Sequence, residues 1–421
     1  MTQRSAIWCL TGVLFGALLI VSFWLFSPVV AWLAPAVPWF TAASAPLVGQ
    51  WIPVDTLATI VVELLAAGIL YLPIGYAFYV VAGALGRRFE FRAGDLTVLG
   101  IGMMLTMGLL APHVLYPVFV MKVLCFALFA CAFNLLIGFV GLLSFGHAAY
   151  FGAAGYVSGH IAKVWGWPPE LAILSATAVA ALLGAVFGGI AIRRQGIYFA
   201  MITLALAQMI YFVALQAKFT GGEDGIQAIP RGRLLGFIDL NDPLAMYYTV
   251  FAICLGGFLL IYRTIHSPFG QVLKAIRENE ARAISLGYSV DRYKLVAFVL
   301  SASLAGLAGG TKAIVFQLAS LTDVDWSMSG EVVLMTLLGG IGTVFGPIVG
   351  AALEEWIENS FAATGAWVTI ITGVIFVVCV LAFRRGIVGE LRRWLERRMA
   401  AAAAMPRVGT PQTAPRARTE P

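Results

Sequence analysis

The chain has 421 residues, is 61% hydrophobic and only 11% charged, and has a mean hydropathy of +0.91. These values exclude an ordinary soluble domain and describe a polytopic membrane protein, because several apolar runs are long enough to cross a bilayer. The net charge of +6 is not a nucleic-acid footprint, since its Arg and Lys lie in short connectors and the tail, where they set membrane orientation.

The N-terminus, MTQRSAIWCLTGVLFGALLIVSFWLF, carries one Arg before a long apolar run. That run is too long for a signal-peptide core and reads as a first spanning helix. Apolar runs predict helices over 7–26, 57–82, 96–115, 119–139, 147–163, 170–192, 197–216, 245–263, 294–316, 331–353 and 367–383. The Pro- and aromatic-rich stretch 28–53 suggests an interfacial loop or short surface helices. Cys9, Cys125, Cys131, Cys254 and Cys379 all lie in apolar runs and read as small core residues, without metal spacing or a disulfide framework. The tail 400–421 is too poor in large apolar residues to build a core and is expected to be disordered.

Basic residues orient the bundle. Arg4, the cluster Arg87, Arg88 and Arg92, the pair Arg193 and Arg194, and the tail residues Arg384, Arg385, Arg392, Arg393, Arg397 and Arg398 all belong in the cytoplasm. So does RENEARAISLGYSVDRYK (277–294), in which seven of eighteen residues are charged. Three full crossings after that stretch would leave the basic tail outside, so one late segment must not cross. The best candidate is EVVLMTLLGGIGTVFGPIVGAAL (331–353), whose GGIGTVFGP centre is poor helix. It is expected to be broken or re-entrant; the alternative is an ordinary glycine-packed helix.

No catalytic constellation is present. His113, His147, His160 and His266 are scattered, with no HExxH spacing, and His147 fits the cytoplasmic edge of its segment. GxxxxGK[ST] is absent, and AGLAGGTKA (305–313) has the wrong order. The chain is therefore not expected to be an enzyme or to hold a metal or cofactor, and the energy for any transport must come from a partner or an ion gradient. Three charges stand alone in apolar runs: Glu63, Lys122, which is close enough to a helix start to snorkel, and Lys312.

Within the charged stretch, ENEARAISLG reads as a short amphipathic helix stopped at Gly287, followed by a second short element through Asp291 to Lys294. Ala283, Ile284 and Leu286 would fill a groove, with Arg277, Glu278, Glu280 and Arg282 making ion pairs at its rim. Residue physics leaves two readings open, a docking element or a solvated positive-inside loop.

Five stretches carry a family resemblance. They are NLLIGFVGLLSFGHAAYFGAAGY (134–156), RRQGIYFAMITLALAQM (193–209), TGGEDGI (220–226), the charged stretch with its flanks, and LLGGIGTVFGPIVGA (337–351). In this order over about 118–385 they resemble the permeases of branched-chain amino-acid ABC importers, and the long N-terminal extension favours the LivM over the LivH type. The resemblance implies an all-α transmembrane bundle divided into an extension (1–117), a permease core (118–385) with a cytoplasmic coupling loop (264–293), and a basic tail (386–421). It implies two cytoplasmic ABC ATPases, a second permease of LivH type, an extracytoplasmic solute-binding protein and residence in a bacterial inner membrane. By position, Arg277, Glu278, Asn279, Glu280, Arg282, Ala283 and Gly287 become the expected ATPase-coupling residues. Asn134, Gly138, Gly141, Ser144, Gly146 and His147 become candidates for pathway lining or helix packing. Gly221, Gly222 and Gly225 form a candidate outer loop, either a flexible docking element or a plain turn. The implied solute is a branched-chain or other hydrophobic amino acid; urea, amides and other small organic molecules are alternatives within the family. An ion-coupled secondary transporter is the alternative outside it, and the lack of paired intramembrane acids in the sequence counts against that reading.

Overall fold

Long runs of Leu, Ile, Val, Ala and Phe have no partner for their backbone in a bilayer except their own turns, so they become helices. In the computed structural model, which describes residues 93–362, 367–383 and 385–390 together with positions 29 and 393, nearly every element is helical. The expected spans 7–26 and 57–82, Arg4, Cys9, Glu63, Arg87, Arg88, Arg92, Arg384, Arg392 and the tail 400–421 lie outside the described residues.

The helices are α1 (Ala93–Val114), α2 (Pro117–Asn134, continuing as a π-helical turn Leu135–Val140), α3 (His147–Lys163), α4 (Pro169–Ala191), α5 (Ile197–Gln216) and α6 (Pro243–His266). They continue with α7 (Pro268–Glu278), α8 (Glu280–Ser285), α9 (Val290–Phe316), α10 (Trp326–Gly339), α11 (Gly346–Phe361) and α12 (Trp367–Ala382). Proline opens several of them, where the missing N–H is harmless. Asp242, Ser267, Asn279 and Asp325 accept first-turn N–H groups as N-caps. Among the described residues, six helices are long and apolar enough to cross a membrane: α2 with its π-turn, α4, α5, α6, α9, and α12 extended to Glu390.

α2 is the buried axis. α6, α9, α10 and α11 pack around it, and α3, α4 and α9 form a second tight group. Small residues make that second group possible, since close helix approach replaces hydrophobic driving force in lipid. Ser158 Oγ donates to the Gly310 carbonyl across the α3–α9 seam, 3.2 Å. A Cβ on Gly309 would overlap the carbonyl oxygen of Phe151. Because that atom is backbone, relief requires moving α3. Gly309→Ala is therefore expected to lower stability by about 1–3 kcal/mol, read as a fall in the melting midpoint of the detergent-solubilised protein. Gly189→Ala, whose Cβ meets nothing within 4 Å, should have no such effect.

The segment 331–353 is broken, as its glycine content predicts. α10 and α11 are separate helices joined by Gly340–Phe345. Their closest approaches pair Gly339 with Gly346 and Met335 with Gly350, so they run antiparallel as a hairpin. With 14 and 16 residues each spans about 21–24 Å, short of the ~30 Å hydrocarbon core. The tip of the hairpin rests on the backbone that follows α12, because a Cβ on Gly340 would stand 2.8 Å from the Arg385 carbonyl oxygen. The tip thus shares one end of the bundle with Arg385, just after α12.

At the opposite end, short strands absent from the sequence reading tie the loops together. β1 (Ile226–Gln227) pairs antiparallel with β4 (Leu318–Ala319), and β2 (Arg233–Leu234) with β3 (Ile238–Asp239).

Candidate functional site

The charged stretch folds as a hook between α6 and α9. It has two helices rather than one. Asn279 breaks the chain after α7, with φ −158° and ψ 100°, and its side chain caps α8 by accepting from Arg282 N–H at 3.0 Å. Gly287 ends α8 at φ +87°. Its N–H donates to Ile284 O at 2.9 Å and that of Tyr288 to Ala283 O at 3.2 Å, the paired bonds of a Schellman cap. The expected second short element is the first turn of α9, which starts at Val290.

The expected coupling residues divide into two groups. Ala283 is buried with Ile276 and Val290 in a small apolar cluster that Val272 and Tyr293 border. Glu280 makes no rim contact; it pairs with Lys294 of α9 at 2.7 Å, and Lys294 is itself almost wholly buried. A buried ammonium left alone is unfavourable, so Glu280 holds the hook to α9. Arg277 is exposed, but its guanidinium reaches back to the bundle, with Nη1 donating to the Gly138 carbonyl. Glu278, Asn279, Arg282 and Gly287 face outward, as do Ile284 (58% exposed) and Leu286 (70%). Among the described residues, Ile284 and Leu286 fill no groove.

Arg277 sits where two helix breaks meet. Its target, Gly138, lies in the π-turn, where widened turns free carbonyls at a helix C-terminus and a cation is favourable. A Cβ on Gly141 would lie 3.1 Å from Arg277 Cγ, and one on Gly342 would lie 3.2 Å from Arg277 Nη1. The same turn of α2 holds the hairpin tip: Asn134 Nδ2 donates to Thr343 O, and Gly342 N–H donates to Asn134 Oδ1, both 2.9 Å.

The first break, 141–146, is exposed at Gly141 and buried or half-buried from Leu142 to Gly146. Hydroxyls from several elements satisfy its backbone, as interior irregular backbone requires. Phe145 N–H donates to Thr203 Oγ1 at 3.2 Å, Gly146 N–H to Ser144 Oγ at 3.2 Å, and Ala148 N–H to Ser329 Oγ at 2.9 Å. His147 is fully buried, which corrects its expected place at the cytoplasmic edge. Ser301 Oγ donates to Ala132 O at 2.6 Å, so His147 Nε2, 2.8 Å away, must carry the proton that Ser301 accepts. Phe133, Tyr150 and Phe298 surround the ring edge-on. Of the six pathway-or-packing candidates, only Gly141 is exposed; Asn134, Gly138, Ser144, Gly146 and His147 are buried joints between helices.

At the far end, TGGEDGI is pinned. Gly221, Gly222 and Gly225 all have positive φ, and a Cβ on Gly225 would overlap the Ala319 carbonyl oxygen. The buried Thr220 hydroxyl lies 2.6 Å from both Ala214 O and Ala217 O. Next to this loop, Lys312 reaches Asp323 at 2.5 and 2.7 Å.

Lys122 and Lys312 are therefore not isolated. Lys122 Nζ lies 2.7 Å from Glu355 Oε2, an ion pair without hydrogen-bond alignment, and 2.8 Å from Glu358 Oε2. Glu331 and Glu354 lie within electrostatic reach of the same ammonium. The sequence reading missed these four glutamates; the signal was Glu354, Glu355 and Glu358 at helical spacing on α11, directly after the broken segment. Among the described residues no His, Cys, Asp and Glu group has metal-holding geometry.

The model of the branched-chain amino acid transport system / permease component family matches residues 115–381. LivM, the high-affinity branched-chain amino acid transport system permease protein of Escherichia coli (strain K12), is 28% identical over 52% of this chain and 57% of its own length. LivM of Salmonella typhimurium gives the same values. The ribose import permease protein RbsC of E. coli K12 is 25% identical over 50% of this chain and 68% of its own. The chain spans a little over half the length of the LivM relatives it matches. No solved structure matches. With the family model covering well over half of the 421 residues and six apolar helices of crossing length, the chain is a multi-pass membrane protein of the branched-chain amino acid transport system / permease component family.

Proposed function

We propose that this chain is the membrane-embedded permease subunit of an ATP-driven importer and forms half of its solute pathway. The observation that carries the reading is the hook, a rigid two-helix element whose outer face shows Ile284 and Leu286 among charged neighbours. Such a face suits a groove in a soluble partner. One of two ABC ATPases docks there on Glu278, Asn279, Arg282, Ile284, Leu286 and Gly287, and the other docks on the second permease, while Arg277, Glu280 and Ala283 fasten the hook to the bundle. The chain performs no covalent chemistry of its own. A second permease of LivH type completes the pathway. A solute-binding protein meets the far end, where the shaped loop of Gly221, Gly222 and Gly225 offers a fixed surface. Asn134, Gly138, Gly141, Ser144, Gly146 and His147 join the two helix breaks that frame the pathway.

The solute is a branched-chain or other hydrophobic amino acid. The names of the LivM relatives support this, while the ribose permease among the relatives shows that related chains serve other small solutes. Reconstitution tests the reading. Proteoliposomes with this chain alone should take up no leucine. Adding the ATPases, the second permease and the binding protein should give ATP-dependent uptake that a protonophore does not abolish.

One observation favours a second reading. The cluster of Glu331, Glu354, Glu355 and Glu358 around one lysine is the kind of acidic grouping an ion-coupled transporter uses. Uptake by this chain alone, collapsed by a protonophore, would establish that alternative.

A further inference from the structure

Resting on the reading of α7–α8 as the ATPase-docking hook, we propose that Arg277 is the positioning residue that passes movement of the hook to the tip of the α10–α11 hairpin. Three observations set the route. The Arg277 guanidinium donates to the Gly138 carbonyl and lies against the Gly342 backbone. Four residues up the same helix, Asn134 makes two hydrogen bonds to the tip, at Gly342 and Thr343. α2 and α11 are clamped a second time by Lys122 and Glu355.

The spacing of the clamps gives the mechanics. Asn134 to Lys122 is 12 residues on α2 (134 − 122), and Thr343 to Glu355 is 12 residues on the partner segment (355 − 343). The two clamps therefore sit in one antiparallel register about 18 Å apart. Fixed at two points, α2 and the hairpin move as one body. The hook belongs to a different part of the chain, joined to α9 through Glu280 and Lys294. Arg277 crosses from the hook to the α2–hairpin body. Its partner carbonyl sits in a π-turn, a helix irregularity that is frequent at functional sites. The hairpin tip is a glycine-rich break between two short helices, the kind of discontinuous element that transporters place beside their pathways. A rigid pull on Arg277 is thereby turned into a shift of Gly340–Phe345.

Hydrogen exchange on the assembled complex tests this, comparing the nucleotide-free state with the ATP–vanadate-trapped state. In the unaltered complex the hook peptide 277–288 should be protected by the ATPases, and amide exchange at 340–345 should change by about fivefold or more on trapping. Arg277→Met keeps the stem over Gly141 but removes the donor. It should retain hook protection and cut the tip response to less than about twofold. Arg277→Lys should restore part of that response. Asn134→Ser, which cuts the route at its second joint, should silence the tip in the same way and carries the test if the Met variant does not accumulate. A full tip response in either Arg277→Met or Asn134→Ser overturns the proposal, as does a silent tip beside a protected hook in the unaltered complex. An unprotected hook in the unaltered complex would instead remove the docking reading on which the proposal stands. A purely structural arginine would lower the melting midpoint and leave the nucleotide response of the tip intact.

Discussion

Gly287→Trp is expected to leave the bundle assembled and to reduce ATP-dependent import by at least about thirtyfold, the loss of one hot-spot contact of ~2 kcal/mol. The residue sits at φ +87° as the C′ position of α8. A Cβ added there meets nothing within 4 Å among the described residues, so the side chain leaves the backbone into open space. The conformational penalty for a bulky residue in the left-handed region is about 1–2 kcal/mol, confined to the end of a six-residue helix. The larger effect falls on the outer surface. An indole at 287 stands beside Ile284 and Leu286, on the face proposed to enter the ATPase groove, and prevents close backbone approach. Gly287→Asn separates the two contributions, because Asn tolerates the left-handed conformation. It should keep most of the import and most of the ATPase recovered by co-purification. Normal import by the Trp variant would remove the outer face of α8, with Ile284, Leu286 and Gly287, from the docking surface.

The second large effect is on stability. Lys122→Ala removes the ammonium between Glu355 and Glu358. The Glu355 side chain is only 4% exposed, and two further glutamates act on the same site. Removing one partner of a buried pair leaves an uncompensated charge and typically costs about 3–5 kcal/mol. Because Lys122 is itself 32% exposed, the lower end of that range, about 3 kcal/mol, is expected. The melting midpoint in detergent should fall accordingly, and the α11 end of the hairpin should gain hydrogen exchange before the rest of the bundle. The double variant Lys122→Ala with Glu355→Gln should recover part of the loss, since a neutral amide is far cheaper to bury than a lone carboxylate. Equal melting midpoints for Lys122→Ala and the unaltered chain would show that the pair contributes nothing.

The two experiments read different parts of the molecule, and the contrast follows from exposure. Gly287 lies on the exposed face of the hook, the surface proposed to meet the ATPase. Lys122 holds two segments of the same chain together. Mutations of the first kind should separate import from stability, and mutations of the second kind should move them together.

Much of the helical plan was legible in the residues. The runs at 147–163 and 197–216 match α3 and α5 to the residue, and the other matched spans differ by a few residues at their ends. Gly287 as a helix stop and the break in 331–353 were also legible, because both depend on local backbone freedom that glycine supplies. The break at Asn279 was not foreseen. The residue caps the helix that follows it, and an Asn between two Glu in a charged stretch gives no local sign of which helix it will cap.

What the sequence by itself determined is the material: apolar runs of bilayer length, basic connectors that fix orientation, glycine where the chain must turn or pack closely, and the ordered motifs that mark the family. Tertiary structure alone decided the pairings. Arg277 finds Gly138 across 139 positions, Asn134 finds Thr343 across 209, and Lys122 finds Glu358 across 236. Hydrophobicity and backbone propensity act over a few residues and can be read along the chain. Charge pairing and the capping of freed carbonyls are set by which helices lie side by side, and that neighbourhood exists only once the bundle has closed.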